Sequence, residues 1–331
     1  MKPDLDVKPL KCWIVGEGLA GTENQCIGVA EALGVTPIIK RIALREPWKS
    51  LSPALGFERW WSFQPVMYAP WPDLVIAAGR KAIAPARFIR KAAQSYEGSD
   101  CFTVFLQDPK CNLSDFDMVC APKHDQLNGA NVLTTVASPN RISVKSLAAA
   151  KAQFSKLSNA PAPRIAVLIG GNSKSHRITK ALCKKLVADL KGLDGALMVT
   201  TSRRTPAELR DYIYKELIAP ENHIWDGTGE NPYLGYLAHA DVIIATSDSA
   251  SMLSDACSTG KPVYRYDLEG GSEKFTRLYR NLETYGALKP FPSEIKQGKL
   301  DVWAYEPLND AAKIANAIGT ALNKRNNKKA I

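Results

Sequence analysis

The chain has 331 residues, more than one ordinary hydrophobic core holds and comfortable for two domains. Hydrophobic residues make up 45% of it, which excludes a disordered chain, and no apolar run approaches the length of a membrane span. The opening MKPDLDVKPL lacks the apolar stretch of a secretory signal. The seven cysteines are scattered without a CxxC pair, which argues against a disulfide framework or a zinc site and fits reduced thiols in a cytosol. A formal net charge of +10 suits anionic substrates or an anionic membrane face, or is ordinary solvated surface. No basic-aromatic module or zinc pattern points to nucleic acid.

Taken in chain order, Lys11 to Val15 reads as a buried strand. Gly16-Glu17-Gly18-Leu19-Ala20-Gly21 follows, then Thr22, Glu23, Asn24 and Gln25, and a helical pattern to Leu33. The run GEGLAG matches a dinucleotide fingerprint and raises a nicotinamide-dependent enzyme as one reading. The next strand, Ile38 to Ile42, carries Arg41 where that fingerprint needs an acid for the ribose. A glycine loop in which Gly18, Gly21, Asn24 and Gln25 approach an acceptor or phosphate is preferred, with a plain strand-helix turn as the alternative. Pro47 to Pro72 is an irregular excursion rich in Trp and Pro, either an apolar lip for a lipid or partner or a segment folded onto its own domain. Asp73 to Ala78, Thr103 to Leu106, Phe116 to Ala121 and Asn131 to Thr135 read as further strands. The loops after them hold Arg80 and Lys81 as anion ligands, Asp108, and the pair His124 and Asp125.

A helical stretch from Ile142 to Leu157 leads to the linker Ser158 to Pro163, where the spacing places the domain boundary. The pattern then restarts as strand-loop-helix units. Arg164 to Ile169 ends in Gly170-Gly171-Asn172-Ser173, Ala196 to Thr200 in Thr201-Ser202-Arg203-Arg204, and Val242 to Ala245 in Thr246-Ser247-Asp248-Ser249. The small hydroxyl and acidic residues of the last loop cap a helix from Ala250 to Cys257. Such loops lie at the carboxyl ends of parallel strands, where open α/β sheets take ligands, and a helix N-terminus there suits a phosphate. Three anion-binding loops on one sheet predict a diphosphate on the Gly170 and Gly171 amides, neutralised by Arg203 or Arg204. Ser247, Ser249, Met252 and Asp255 would complete the pocket, with Asp255 on a sugar hydroxyl. A final helix, Ala311 to Leu322, is expected to cross back to the first domain, and the basic Lys324 to Lys329 to fray and attract acidic lipid weakly.

Together the segments GTENQ, FDMVCAPKHD, NVLTTVASPNRI, IAVLIGGNSKSHR and TSDSASMLSDACSTGKPVY resemble the mitochondrial fission (elongated-mitochondria) family, whose bacterial members are described as glycosyltransferases. The resemblance implies a GT-B-like α/β fold: two Rossmann-like domains with parallel sheets facing a cleft, residues 1–158 on the acceptor side and 159–306 holding the nucleotide-sugar, followed by the C-terminal helix. It implies glycosyl transfer from a nucleoside-diphosphate sugar to an envelope lipid or saccharide, without a cofactor or obligatory metal. The absence of a DxD-like pair in the donor loops agrees. It also implies a cytoplasmic protein, peripheral on the inner face of a membrane. The base candidates are His124 and Asp125, with Asp108 behind them. Two positions depart from the pattern: Thr22 stands where the family more often has His, and Asp255 where related enzymes carry Glu. The plant branch, linked to recruitment of a dynamin-like protein, implies the alternative of a non-catalytic scaffold that recruits a partner at a membrane.

Overall fold

The computed structural model describes residues 10–97 and 100–329, so the first nine residues of the opening segment lie outside the described residues. The chain forms two compact units, one of residues 1–141 with 309–331 and one of residues 142–308. In the first, β1 (Cys12–Gly16), α1 (Ala20–Leu33), β2 (Ile38–Arg41), β3 (Leu74–Ala78), α2 (Ile83–Glu97), β4 (Phe102–Leu106), β5 (Met118–Pro122) and β6 (Val132–Thr135) build a parallel sheet in the order β2-β1-β3-β4-β5-β6. The central strands are continuous apolar runs because helices cover both faces and no position looks at water. Val75, Ala77, Phe105 and Val119 pack on one side with Trp13 and Ile89, and Ile14, Ile76, Val104 and Leu106 on the other with Val29 and Leu33.

The second unit repeats this plan with α3 (Val144–Gln153), β7 (Arg164–Ile169), α4 (Lys180–Lys191), β8 (Ala196–Thr201), α5 (Ala207–Leu217), β9 (His223–Ile224), α6 (Tyr233–His239), β10 (Val242–Thr246), α7 (Ala250–Cys257), β11 (Val263–Tyr266), α8 (Glu273–Tyr285) and β12 (Leu288–Pro290). Its parallel sheet runs β9-β8-β7-β10-β11-β12. The chain changes unit at Arg141/Ile142 and not at the Ser158 to Pro163 linker. The reason lies in α3: Phe154, just after it, fills the space over Gly235 of α6, where an added Cβ would lie 2.6 Å from its ring, and the Lys151 carbonyl lies 3.1 Å from His239 Nε2. The linker is therefore internal to the second unit.

The last helix, α9 (Asp310–Lys329), belongs to the first unit and continues through the basic segment read above as frayed. Ile314, Ala315, Ile318 and Leu322 join the cluster of Val29, Ala30 and Leu33 of α1. The Asp310 carboxylate at its start accepts from the amides of Val136 (3.1 Å) and Ala137 (2.8 Å), fastening the helix beside the end of β6. Among the described residues no helix is long and apolar enough to cross a membrane. Ile318→Ala is expected to cost about 2–5 kcal/mol, because Ile318 is fully buried and its neighbours belong to rigid elements. Urea unfolding followed by circular dichroism checks this.

Candidate functional site

The loops after β7, β8 and β10 meet around one side chain, Asp248, whose carboxylate is fully buried. It accepts from Gly171 N–H (3.0 Å), Thr246 Oγ1 (2.7 Å) and Arg204 Nη2 (2.8 Å). Thr246 Oγ1 in turn accepts from Gly170 N–H (2.7 Å), and Thr205 Oγ1 donates to the Gly170 carbonyl (2.5 Å). The Asn172 amide donates to the Arg204 carbonyl at 3.1 Å. Both glycines are required by contact. A Cβ on Gly170 would lie 2.0 Å from Asp248 Oδ1, and one on Gly171 2.2 Å from the Arg204 backbone.

This geometry corrects part of the sequence reading. The three loops do converge, but both amides are already occupied, Gly171 by the protein's own Asp248 carboxylate and Gly170 by the Thr246 hydroxyl that donates to it. Ser247 is likewise framework: it is buried, its Oγ accepts from Leu268 N–H (2.9 Å), and its carbonyl accepts from Tyr279 O–H (2.7 Å). Asn172 Oδ1 accepts from Ile178 N–H, Ser173 Oγ from His176 N–H, and Ser202 Oγ from Arg204 N–H, so these polar side chains shape their own loops. What faces outward is cationic. Arg203 is exposed and forms no ion pair among the described residues, and Arg204 keeps 44% of its side chain exposed beyond its bond to Asp248. Beside them α7 begins. Ser249 caps it by accepting from Met252 N–H (3.3 Å), and the preceding amides, Ala250 and Ser251, have no intrahelical acceptor by position.

Asp255, two turns into α7, is half-buried and accepts from Tyr233 O–H at 3.0 Å. Burial raises its pKa to about 7, and the tyrosine bond only partly offsets this. The carboxyl expected to hold a sugar hydroxyl thus already has a phenol partner, and at neutral pH it is poised between acid and anion.

His176 locks the rim. Tyr279 gives its proton to the Ser247 carbonyl, so His176 Nε2–H donates to Tyr279 Oη (3.0 Å) and Nδ1 accepts from Ser175 Oγ (3.0 Å). Desolvation lowers the His176 pKa and keeps the ring neutral. Thr246, Thr205, Tyr279, Tyr233 and His176 were missed as site residues. Thr246 stands inside a quoted loop and Thr205 directly follows one, both legible as hydroxyl donors, whereas Tyr233 and Tyr279 carry no local signal.

In the first unit the candidates lie on neighbouring strand ends. Gly18 adopts φ +81 before α1, while Gly21, Asn24 and Gln25 lie within that helix. Gln25 is buried and accepts from Gln107 Nε2 (2.9 Å), so it fixes the turn after β4 instead of meeting an acceptor. Asn24 is exposed, and the Thr22 hydroxyl donates to the Leu19 carbonyl. Arg41 forms a two-pronged bond to Glu23 (2.9 and 2.8 Å), so that strand end presents a cation where a dinucleotide ribose would need a carboxylate. Lys81 is paired with Glu17, and Arg80 Nε donates to the Ser52 carbonyl. Asp108 pairs with Lys110 (2.6 Å), whose pKa it raises, and Asp125 adds to that field. His124 is 2% exposed, with Nε2 3.9 Å from Asp125 Oδ1. A base acting on an external hydroxyl must reach it, and a ring enclosed in the domain does not. Among the described residues no cluster of His, Cys, Asp or Glu could hold a metal.

Two Rossmann-like units, each with a six-stranded parallel sheet, place the chain in the GT-B class of folds. A solved UDP-GlcNAc 2-epimerase from Methanocaldococcus jannaschii superposes with a TM-score of 0.50, covering 93% of this chain and 98% of its own at 11% identity, which bears on the fold alone. The chain belongs to the mitochondrial fission ELM1 family, whose model matches residues 20–322. It is 27% identical to the mitochondrial fission protein ELM1 of Arabidopsis thaliana over 94% of this chain and 91% of that one. It is also 27% identical to the uncharacterized protein RP120 of Rickettsia prowazekii (strain Madrid E), over 76% of this chain and 80% of that one.

Asp248→Ala leaves Arg204, Gly171 and Thr246 without their acceptor and is expected to cost about 2–4 kcal/mol, below a fully enclosed pair because Arg204 is half in solvent. Denaturant midpoints check this. For Asp255 the folded pKa lies above the unfolded one, so the unfolded chain binds fewer protons between about pH 4 and 7 and stability falls as pH rises through that window. Asp255→Asn should therefore raise the melting temperature at pH 8 by a few degrees and change it little at pH 4.

Proposed function

We propose that this chain is a metal-independent glycosyltransferase of the GT-B type. In this reading it takes a nucleoside-diphosphate sugar at the carboxyl edge of the second unit and transfers the sugar to a lipid-linked or saccharide acceptor of the cell envelope. It works from the cytoplasmic side as a membrane-peripheral protein. One observation carries the reading: Asp248, two residues before the first turn of α7, draws three loops together and binds Arg204, whose chain neighbour Arg203 is exposed. A diphosphate there would find two guanidinium groups and a helix N-terminus, which stabilise leaving-group charge without a metal. Asp255 and Tyr233 would adjoin the nucleoside hydroxyls.

The alternative, a non-catalytic scaffold that recruits a protein partner at a membrane, draws support from the first unit. There His124 is enclosed and Asp108 is paired with Lys110, and the Arabidopsis relative is named for mitochondrial fission. Millimolar UDP, GDP, ADP and CDP separate the readings in part: at least one should raise the melting temperature by a few degrees. Arg203→Ala should weaken that binding about tenfold with unchanged unliganded stability, because the side chain is exposed and forms no ion pair among the described residues. No shift with any nucleotide would remove the donor site. Binding without hydrolysis or transfer across a sugar-nucleotide panel would favour the scaffold.

A further inference from the structure

Between β2 and β3 the chain leaves the sheet, with a short helix at Trp48–Leu51 and an antiparallel pair of Ala43–Leu44 with Phe63–Gln64. Part of its polar chemistry is turned inward. Glu58, 6% exposed, is ion-paired with Arg87, whose guanidinium also donates to the carbonyls of Pro53 (3.1 Å) and Leu55 (3.0 Å) and to Asp115 (3.3 Å). Arg80 Nε holds the Ser52 carbonyl (2.8 Å), and Trp48 Nε1 the Gly56 carbonyl (3.3 Å). Five large apolar groups stay exposed, Phe57 at 80%, Tyr68 74%, Trp60 57%, Leu51 52% and Trp61 46%, while Leu44, Phe63 and Met67 of the same segment are buried. The rings of Trp60 and Trp61 meet edge to face at 5.5 Å. Trp71 of the same segment does pack inward, against Trp13 and Phe88, so the outward set is a sorted subset.

Five large apolar side chains left exposed on one segment exceed the singly scattered ones of an ordinary surface. Because one buried guanidinium ties residues 53–58 from beneath, the aromatic set is held out by the fold. The exposed charges of the segment are Arg45, Lys49 and Arg59, with Arg80 beside it, against Glu46, which is engaged with Ser50. Trp and Tyr with a cationic fringe match the headgroup layer of an anionic bilayer, where rings sit at the interface and cations meet lipid phosphates. A second copy of this chain, also at +10, meets the same surface with repulsion.

We infer that this face of the first unit docks on an anionic lipid bilayer through Phe57, Trp60 and Trp61. The inference rests on the membrane-peripheral part of the proposed function and is independent of its chemistry. The test is co-sedimentation of the full chain with phosphatidylcholine vesicles, with and without about one-third phosphatidylglycerol. Binding should need the anionic lipid and weaken with added salt. The triple change Phe57→Ser, Trp60→Ser, Trp61→Ser should lower partitioning at least about tenfold, and so should Arg45→Glu with Lys49→Glu. Circular dichroism and melting temperature report folding, and the charge pair decides if the triple variant misfolds. Vesicle binding that neither variant alters overturns the assignment of this face while leaving a membrane role. No vesicle binding overturns both. A concentration-dependent dimer abolished by the triple change assigns the face to a second copy and overturns the inference. None of these outcomes bears on nucleotide binding.

Discussion

The second unit is organised by one buried anion. Asp248 has no solvent contact, so its charge is tolerable only because an amide, a hydroxyl and a guanidinium all donate to it. Those donors come from the ends of β7, β10 and β8, three adjacent strands. Satisfying one carboxylate therefore fixes the mutual position of three loops. The glycines follow from this, since Gly170 and Gly171 sit where any side chain would strike Asp248 or the Arg204 backbone.

That arrangement decides what chemistry remains open. A cradle built to hold an anion already holds one, and the capacity left over lies at its rim, in Arg203, the free face of Arg204 and the first turn of α7. The rim is stiffened from the opposite side by the chain His176, Tyr279 and the Ser247 carbonyl, which joins the β7 loop to α8 and to the β10 loop. Asp248 and Asp255, seven residues apart, are held differently: three donors surround the first, whereas burial outweighs the single phenol bond of the second and pushes it toward protonation.

The first unit shares the sheet plan but spends its loop chemistry on itself. Arg41 pairs with Glu23 of α1, Lys81 with Glu17, and Asp108 with Lys110 of its own loop. Its exposed aromatic residues are gathered on the excursion between β2 and β3, which the buried pair of Arg87 and Glu58 ties to the unit. The six buried thiols add nothing reactive: burial drives Cys12 and Cys120 up to about 12, far from the thiolate form at neutral pH.

Strand and helix positions were legible in the sequence because continuous runs such as VIIA and LVIAA can only be interior strands, and TSDS before ASMLSDAC is the local grammar of a capped helix. The clustering of three polar loops at one sheet edge was legible for the same reason, since parallel strands put all their carboxyl ends together. Which groups in those loops face a ligand and which face one another was not. Asp248 reads as a cap until Gly171, 77 residues away, and Arg204, 44 away, are seen to bond to it. Likewise α3 reads as the end of the first domain until Phe154 is found over Gly235. Local propensity acts over a few residues and is written in the sequence itself. The partner of a buried charge or an aromatic ring is chosen by packing between distant segments, and only the tertiary structure decides it.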